Sequence, residues 1–104
     1  MVLIYDPLNG PAEPDHLIAL NLRRAYKEGQ PSYRTGSEIV VLAARSLHAE
    51  KYINISKILY KNPRAGKQDI QEICLNPDGT IDDWPSGFCS YAENWLIKLL
   101  NARH

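Results

Sequence analysis

The chain is 104 residues long, 44% hydrophobic and 23% charged, the length of one globular domain with an ordinary soluble composition. Its apolar runs, such as Ile39 to Ala44, fall far short of the roughly 20 residues a membrane span needs, and Met1 to Asp6 lacks the basic n-region of a signal peptide; a cytoplasmic location with no membrane contact is expected. Twelve basic and twelve acidic residues cancel to a net charge of zero, but residues 23–67 hold ten Lys/Arg against Glu28, Glu38 and Glu50, and residues 68–97 hold six acids and no base. That segregation keeps charged partners open despite the zero sum.

Val2-Leu3-Ile4-Tyr5 is a continuous apolar run and reads as a buried strand ended by Asp6-Pro7. After a turn-rich stretch containing Asn9-Gly10-Pro11, Asp15 can cap a helix running to about Glu28, with Leu17, Ile18, Leu22, Ala25 and Tyr26 toward one side. Gly29 stands where a left-handed C-terminal cap is wanted. Residues 30–34 form a weak strand candidate interrupted by Pro31 and Ser32. Thr35-Gly36-Ser37-Glu38 is a capping-box pattern. It opens a helix from Ser37 to about Lys51, with Val40, Ala43, Ala44 and Leu47 at helical spacing.

Lys57 to Lys61 and Ile70 to Leu75 read as two strands of an antiparallel hairpin, joined through Asn62-Pro63-Arg64-Ala65-Gly66. Asn76-Pro77-Asp78-Gly79 is a turn, with proline at its second position and glycine at its fourth. An irregular aromatic stretch follows, and Ser90-x-x-Glu93 opens a final helix with Tyr91, Trp95, Leu96 and Leu99 inward. The expectation is one domain over residues 1–104. It is α/β, or α+β, with three helices on a mixed sheet of three or four strands.

The residues of catalysis are sparse. His16, His48 and His104 make no metal-ligand spacing with one another or with Cys74 and Cys89, and two cysteines build no disulfide framework. Cys74, inside a strand, reads as a buried thiol; Cys89 reads as the more exposed one. Asp78, Asp82 and Asp83 cluster at a turn without the spacing of a calcium loop. No glycine-rich phosphate loop is present. No metal and no cofactor are expected. The remaining constellation is basic and aromatic: Arg23, Arg24, Lys27, Arg34, Arg45, Lys57, Lys61, Arg64 and Lys67 interleave with Tyr26, Tyr33, Tyr52 and Tyr60. Such a set can contact nucleic-acid backbone and bases or pair with an acidic surface of a partner protein.

The segment Leu75 to Phe88, with Asp83-Trp84-Pro85-Ser86-Gly87-Phe88 at its end, resembles the closing segment of predicted bacterial AAA/ABC-type ATPases of the SMC-like, overcoming-lysogenization-defect-like group. Thr35-Gly36-Ser37-Glu38 looks like that family's Thr-His-Ser-Glu. Val2 to Pro7 looks like its Walker B strand. The three landmarks stand in the family's order and correspond to its C-terminal portion.

The resemblance implies an ATPase origin without the ATPase chemistry. Tyr5 stands where the family has its first, magnesium-holding acid; Asp6 stands at the second acidic position. Gly36 replaces the histidine that resembles a γ-phosphate sensor. Phosphoryl transfer needs a phosphate cradle, metal ligands and a positioned water, and of these only Asp6 remains. The implied protein is a non-catalytic relative that works by protein–protein contact, as a subunit or regulator of a nucleotide-dependent assembly, by self-association or with another chain. A nucleic-acid-binding module using residues 23–67 is the alternative, and a degenerate remnant is a third. Trp84, Pro85, Gly87 and Phe88 form a candidate docking loop; their bland alternative is packing beneath the last helix.

Overall fold

A computed structural model of the chain describes residues 1–61, 70–83 and 88. It is an α/β fold. Strand β1 (Val2–Tyr5) leads through a 3-10 turn (Asp15–Leu17) into helix α1 (Ile18–Lys27), then strand β2 (Ser32–Thr35) and helix α2 (Glu38–Ala49). Strands β3 (Lys57–Lys61) and β4 (Ile70–Ile73) follow. The sheet order is β2-β1-β3-β4. β1 pairs in parallel with both β2 and β3, while β3 and β4 are antiparallel. The expected hairpin strands and mixed sheet are present. The expected third helix, the 62–66 turn and Cys89 lie outside the described residues.

The register explains which residues face which way. Leu3 sits opposite Tyr33 and Ile58, and Tyr5 opposite Thr35 and Tyr60, so these residues share one side of the sheet. Ile18 and Leu22 from α1, and Val40, Val41 and Ala44 from α2, join Leu3, Tyr5, Ile58, Tyr60, Ile73 and Phe88 in one continuous core. α1 also packs on α2. The opposite side presents Val2, Ile4 and Leu59, half-buried, with Arg34, Lys57, Lys61 and Glu72 around them. Tyr26, expected inward, is 40% exposed: the buried stripe of α1 runs through Ile18, Leu22 and Ala25.

Both helices end by the same device. After α1, Gly29 (φ 74°) donates to the Tyr26 carbonyl and Gln30 to that of Ala25, the paired bonds that close a helix on a left-handed residue. After α2 the left-handed residue is Lys51 (φ 67°); it donates to His48 while Tyr52 donates to Leu47.

The start of α2 departs from the capping-box expectation. Thr35 belongs to β2 and is buried. Its hydroxyl oxygen accepts the N–H of Ser37, two residues on, at 3.0 Å. Ser37 is the N-cap, without a side-chain capping bond. Cys74, expected buried, is exposed because β4 ends at Ile73.

Candidate functional site

The carboxyl ends of parallel strands are where open α/β sheets gather ligands, and here that edge is built around Asp6. The residue follows β1 directly, is 3% exposed, and lies on the same side of the sheet as Arg34 of β2 and Lys61 of β3. Arg34 donates to Asp6 Oδ2 at 3.0 Å, and Lys61 Nζ lies 3.8 Å from the same oxygen. The N–H of Asn9 donates to Oδ1 at 3.2 Å, and Arg34 also donates to the Asn9 carbonyl at 3.0 Å.

Burial pushes the Asp6 carboxyl up. The Arg34 hydrogen bond, the Asn9 N–H and the neighbouring charges of Lys61 and Arg34 outweigh burial and hold it below the ordinary carboxylate value. A general base at neutral pH needs the opposite adjustment, a carboxyl raised toward 7. Asp6 therefore stays an anion matched to two cations.

Backbone closes the rest of this edge. Asp6 donates its N–H to Thr35, Gly10 donates to Asp6 at 2.8 Å, and Gly36 donates to Pro11 at 3.0 Å. The loop after β1 thus lies against the end of β2. A Cβ on Gly10 would collide with the backbone nitrogen of Gly36, and one on Gly36 with the carbonyl of Gly10. Gly36, the position of the resembled switch histidine, is glycine in a place with no room for a side chain. Tyr5, at the resembled magnesium position, is equally committed. It stacks on Tyr60 at 5.5 Å between ring centroids, and Phe88 meets both rings edge-on at 5.8 and 5.0 Å.

Phe88 is fully buried in this aromatic cluster, so it packs the core and presents no docking surface. Trp84, Pro85 and Gly87 lie outside the described residues. The candidate nucleic-acid residues separate into groups. Arg34 and Lys61 meet at Asp6, and Lys57 pairs with Glu72 at 3.5 Å. Arg45, half-buried, donates from Nε to the Gly79 carbonyl at 2.9 Å. Arg23, Arg24 and Lys27 stand exposed on α1. Arg64 and Lys67 lie outside the described residues.

The acidic turn is organised by its own side chains. Thr80 donates both its hydroxyl (2.6 Å) and its N–H (3.0 Å) to Asp78, holding that carboxyl below its ordinary range. Asn76 donates to Asp82 at 3.1 Å. Among the described residues, no group of three or more His, Cys, Asp or Glu comes together as a metal site, and no helix is long and apolar enough to cross a membrane.

Sequence reasoning missed two features. Glu13 accepts from Tyr33 Oη at 2.8 Å and from Asn21 Nδ2 at 2.6 Å, tying the first loop to α1 and β2; burial and this carboxylate push the Tyr33 hydroxyl far above its usual value. His48 joins α2 to two later segments. Neither has a sequence signal, because each pairing depends on the sheet register and helix docking. No protein-family model, curated protein or solved structure matches the chain.

Proposed function

We propose that the chain is a non-catalytic, cytoplasmic protein-contact module, a subunit or regulator of a nucleotide-dependent assembly. The observation that carries the reading is the state of Asp6. The carboxylate that the resemblance sets at the catalytic end of a Walker B strand is buried and neutralised by Arg34 and Lys61. Its neighbour Tyr5 is a core residue stacked on Tyr60. Asp6 serves ion pairing and Tyr5 serves packing.

The contact surface in this proposal is the side of the sheet opposite the helices. Val2, Ile4 and Leu59 form an apolar centre, and Arg34, Lys57, Lys61 and Glu72 form a charged rim. An apolar centre inside a polar rim is the usual anatomy of a protein interface, and the charges of the rim select the partner.

Two measurements test this. The purified chain should turn over no ATP; turnover abolished by Asp6→Asn overturns the non-catalytic reading. A protein that co-purifies with the wild-type chain should be lost with Leu59→Lys and retained with the surface control Glu50→Lys. Retention by both variants overturns the sheet-face contact.

A further inference from the structure

The described cations sort into two sets. Arg34, Lys61, Lys57 and Arg45 are engaged by Asp6, Glu72 and the Gly79 carbonyl. Arg23, Arg24, Lys27 and Lys51 are all exposed, and no ion pair is formed by any of them among the described residues.

This second set is gathered with aromatic rings. Arg23, Tyr26 and Lys27 stand at i, i+3 and i+4 on α1, hence on one side of the helix; Tyr26, four residues after the buried Leu22, stands where that side meets the core, and Arg24, three residues before Lys27, flanks the other edge. The guanidinium carbon of Arg23 lies 4.7 Å from the centroid of the Tyr52 ring, a cation–π stack that holds both groups in place. Lys51 adjoins Tyr52 in the chain. Tyr26 is 40% and Tyr52 52% exposed. Two acids stand close in sequence: Glu28, which faces the Gln30 amide, and Glu50. Four cations against these two leave the cluster positive.

We infer that this face of α1, with Lys51 and Tyr52, binds single-stranded nucleic acid. The four cations take phosphates, and the Arg23–Tyr52 pair and Tyr26 take unpaired bases by stacking, the combination that single strands require. A duplex hides its base faces and leaves the tyrosines unused. An acidic protein would use the cations alone. A membrane would find one large exposed aliphatic side chain on α1, Leu20. The inference is independent of the sheet-face contact, because α1 lies on the other side of the sheet.

The test is fluorescence anisotropy with fluorescein-labelled dT15 and U15 as the probes and the purified full chain as titrant. With four phosphate contacts on a single strand, affinity should fall about 50-fold between 50 and 200 mM KCl, and with three contacts, in Lys27→Ala, about 18-fold. Tyr52→Ala, at an exposed position, should weaken binding at least fivefold, roughly the lower end of the effect of losing one stacked base, while Tyr52→Phe retains it. Far-UV circular dichroism confirms that each variant is folded. No anisotropy change at 50 mM KCl overturns the inference, as does unchanged affinity in a folded Tyr52→Ala. Tighter binding to polyglutamate, or to phosphatidylserine vesicles, overturns it in favour of an acidic protein or a membrane surface.

Discussion

His48 accepts the backbone N–H of Ile55 on Nδ1 at 3.0 Å. That nitrogen therefore carries no proton, so the neutral ring has its N–H on Nε2 and donates it to the Asn76 carbonyl at 3.1 Å. One side chain thus fastens the last turn of α2 to the segment entering β3 and to the acidic turn. Ile55 is 2% exposed, and a buried N–H left without an acceptor costs about 1–3 kcal/mol. His48→Ala should lower unfolding stability by that amount. Glu50→Ala, exposed two residues later, should stay within about 0.5 kcal/mol. Urea unfolding of the two variants beside the wild type checks the difference.

Asp6 makes stability depend on acid in a defined direction. Its carboxyl is held below the ordinary value of 3.8 in the folded chain, so the unfolded chain takes up its proton first as pH falls. The stabilisation is complete above the unfolded value and is lost as pH drops through 3.8 toward the lower folded value. Asp6→Asn keeps an oxygen for the Asn9 N–H but removes the charge. The variant should be less stable than wild type at pH 7, by about 1 kcal/mol, because Arg34 and Lys61 are half exposed and hydrate when released. The gap should narrow below pH 4. A gap that stays constant from pH 7 to 3 would show that the charge contributes nothing.

Gly36 tests whether the position that resembles the switch histidine can hold a side chain. Its missing side chain leaves space already filled by the Gly10 carbonyl and the backbone oxygen of Asp6. Gly36→Ala should therefore destabilise the fold by about 1–3 kcal/mol, the range of an overpacked buried site. Gly36→His should be worse, with no gain in nucleotide binding. Thermal melts with and without ATP separate the two effects: a Gly36→His protein as stable as wild type, or stabilised by ATP, contradicts the steric argument.

The elements that were legible in the sequence are those with an apolar rhythm of their own. β1, α2 and β3 bury Leu3 and Tyr5, Val40 and Ala44, and Ile58 and Tyr60 at the spacing each structure demands. β2 was faint because Ser32 and Arg34 are polar and exposed; its pairing with β1 makes it a strand. The same dependence hid the Thr35 role, since a threonine that ends a buried strand cannot also be a free N-cap. The site was partly legible. Asp6 stands out through the resemblance, but Arg34 and Lys61, which the sequence shows only as basic residues, become its partners when three strands align Tyr5 with Thr35 and with Tyr60. Tyr26 departs from the expectation for a related reason: which face of a helix is buried depends on where the helix docks.

Lys51 carries a side chain in a conformation that favours glycine. With φ at 67°, its Cβ crowds its own backbone, a strain of roughly 1–2 kcal/mol for an L-residue. The chain accepts it because the two closing bonds, Lys51 to His48 and Tyr52 to Leu47, require a left-handed residue there. α1 uses Gly29 for the same task. Lys51→Gly removes the strain but gives the unfolded chain more freedom, which offsets about 0.4–1 kcal/mol. The net expectation is a gain of about 0.5–1 kcal/mol, seen as a higher urea midpoint with an unchanged slope. Lys51→Val should move the other way, because a β-branched residue is a genuine outlier in this region. If Lys51→Gly lowers the midpoint, the lysine side chain contributes more by its contacts than its backbone loses by strain.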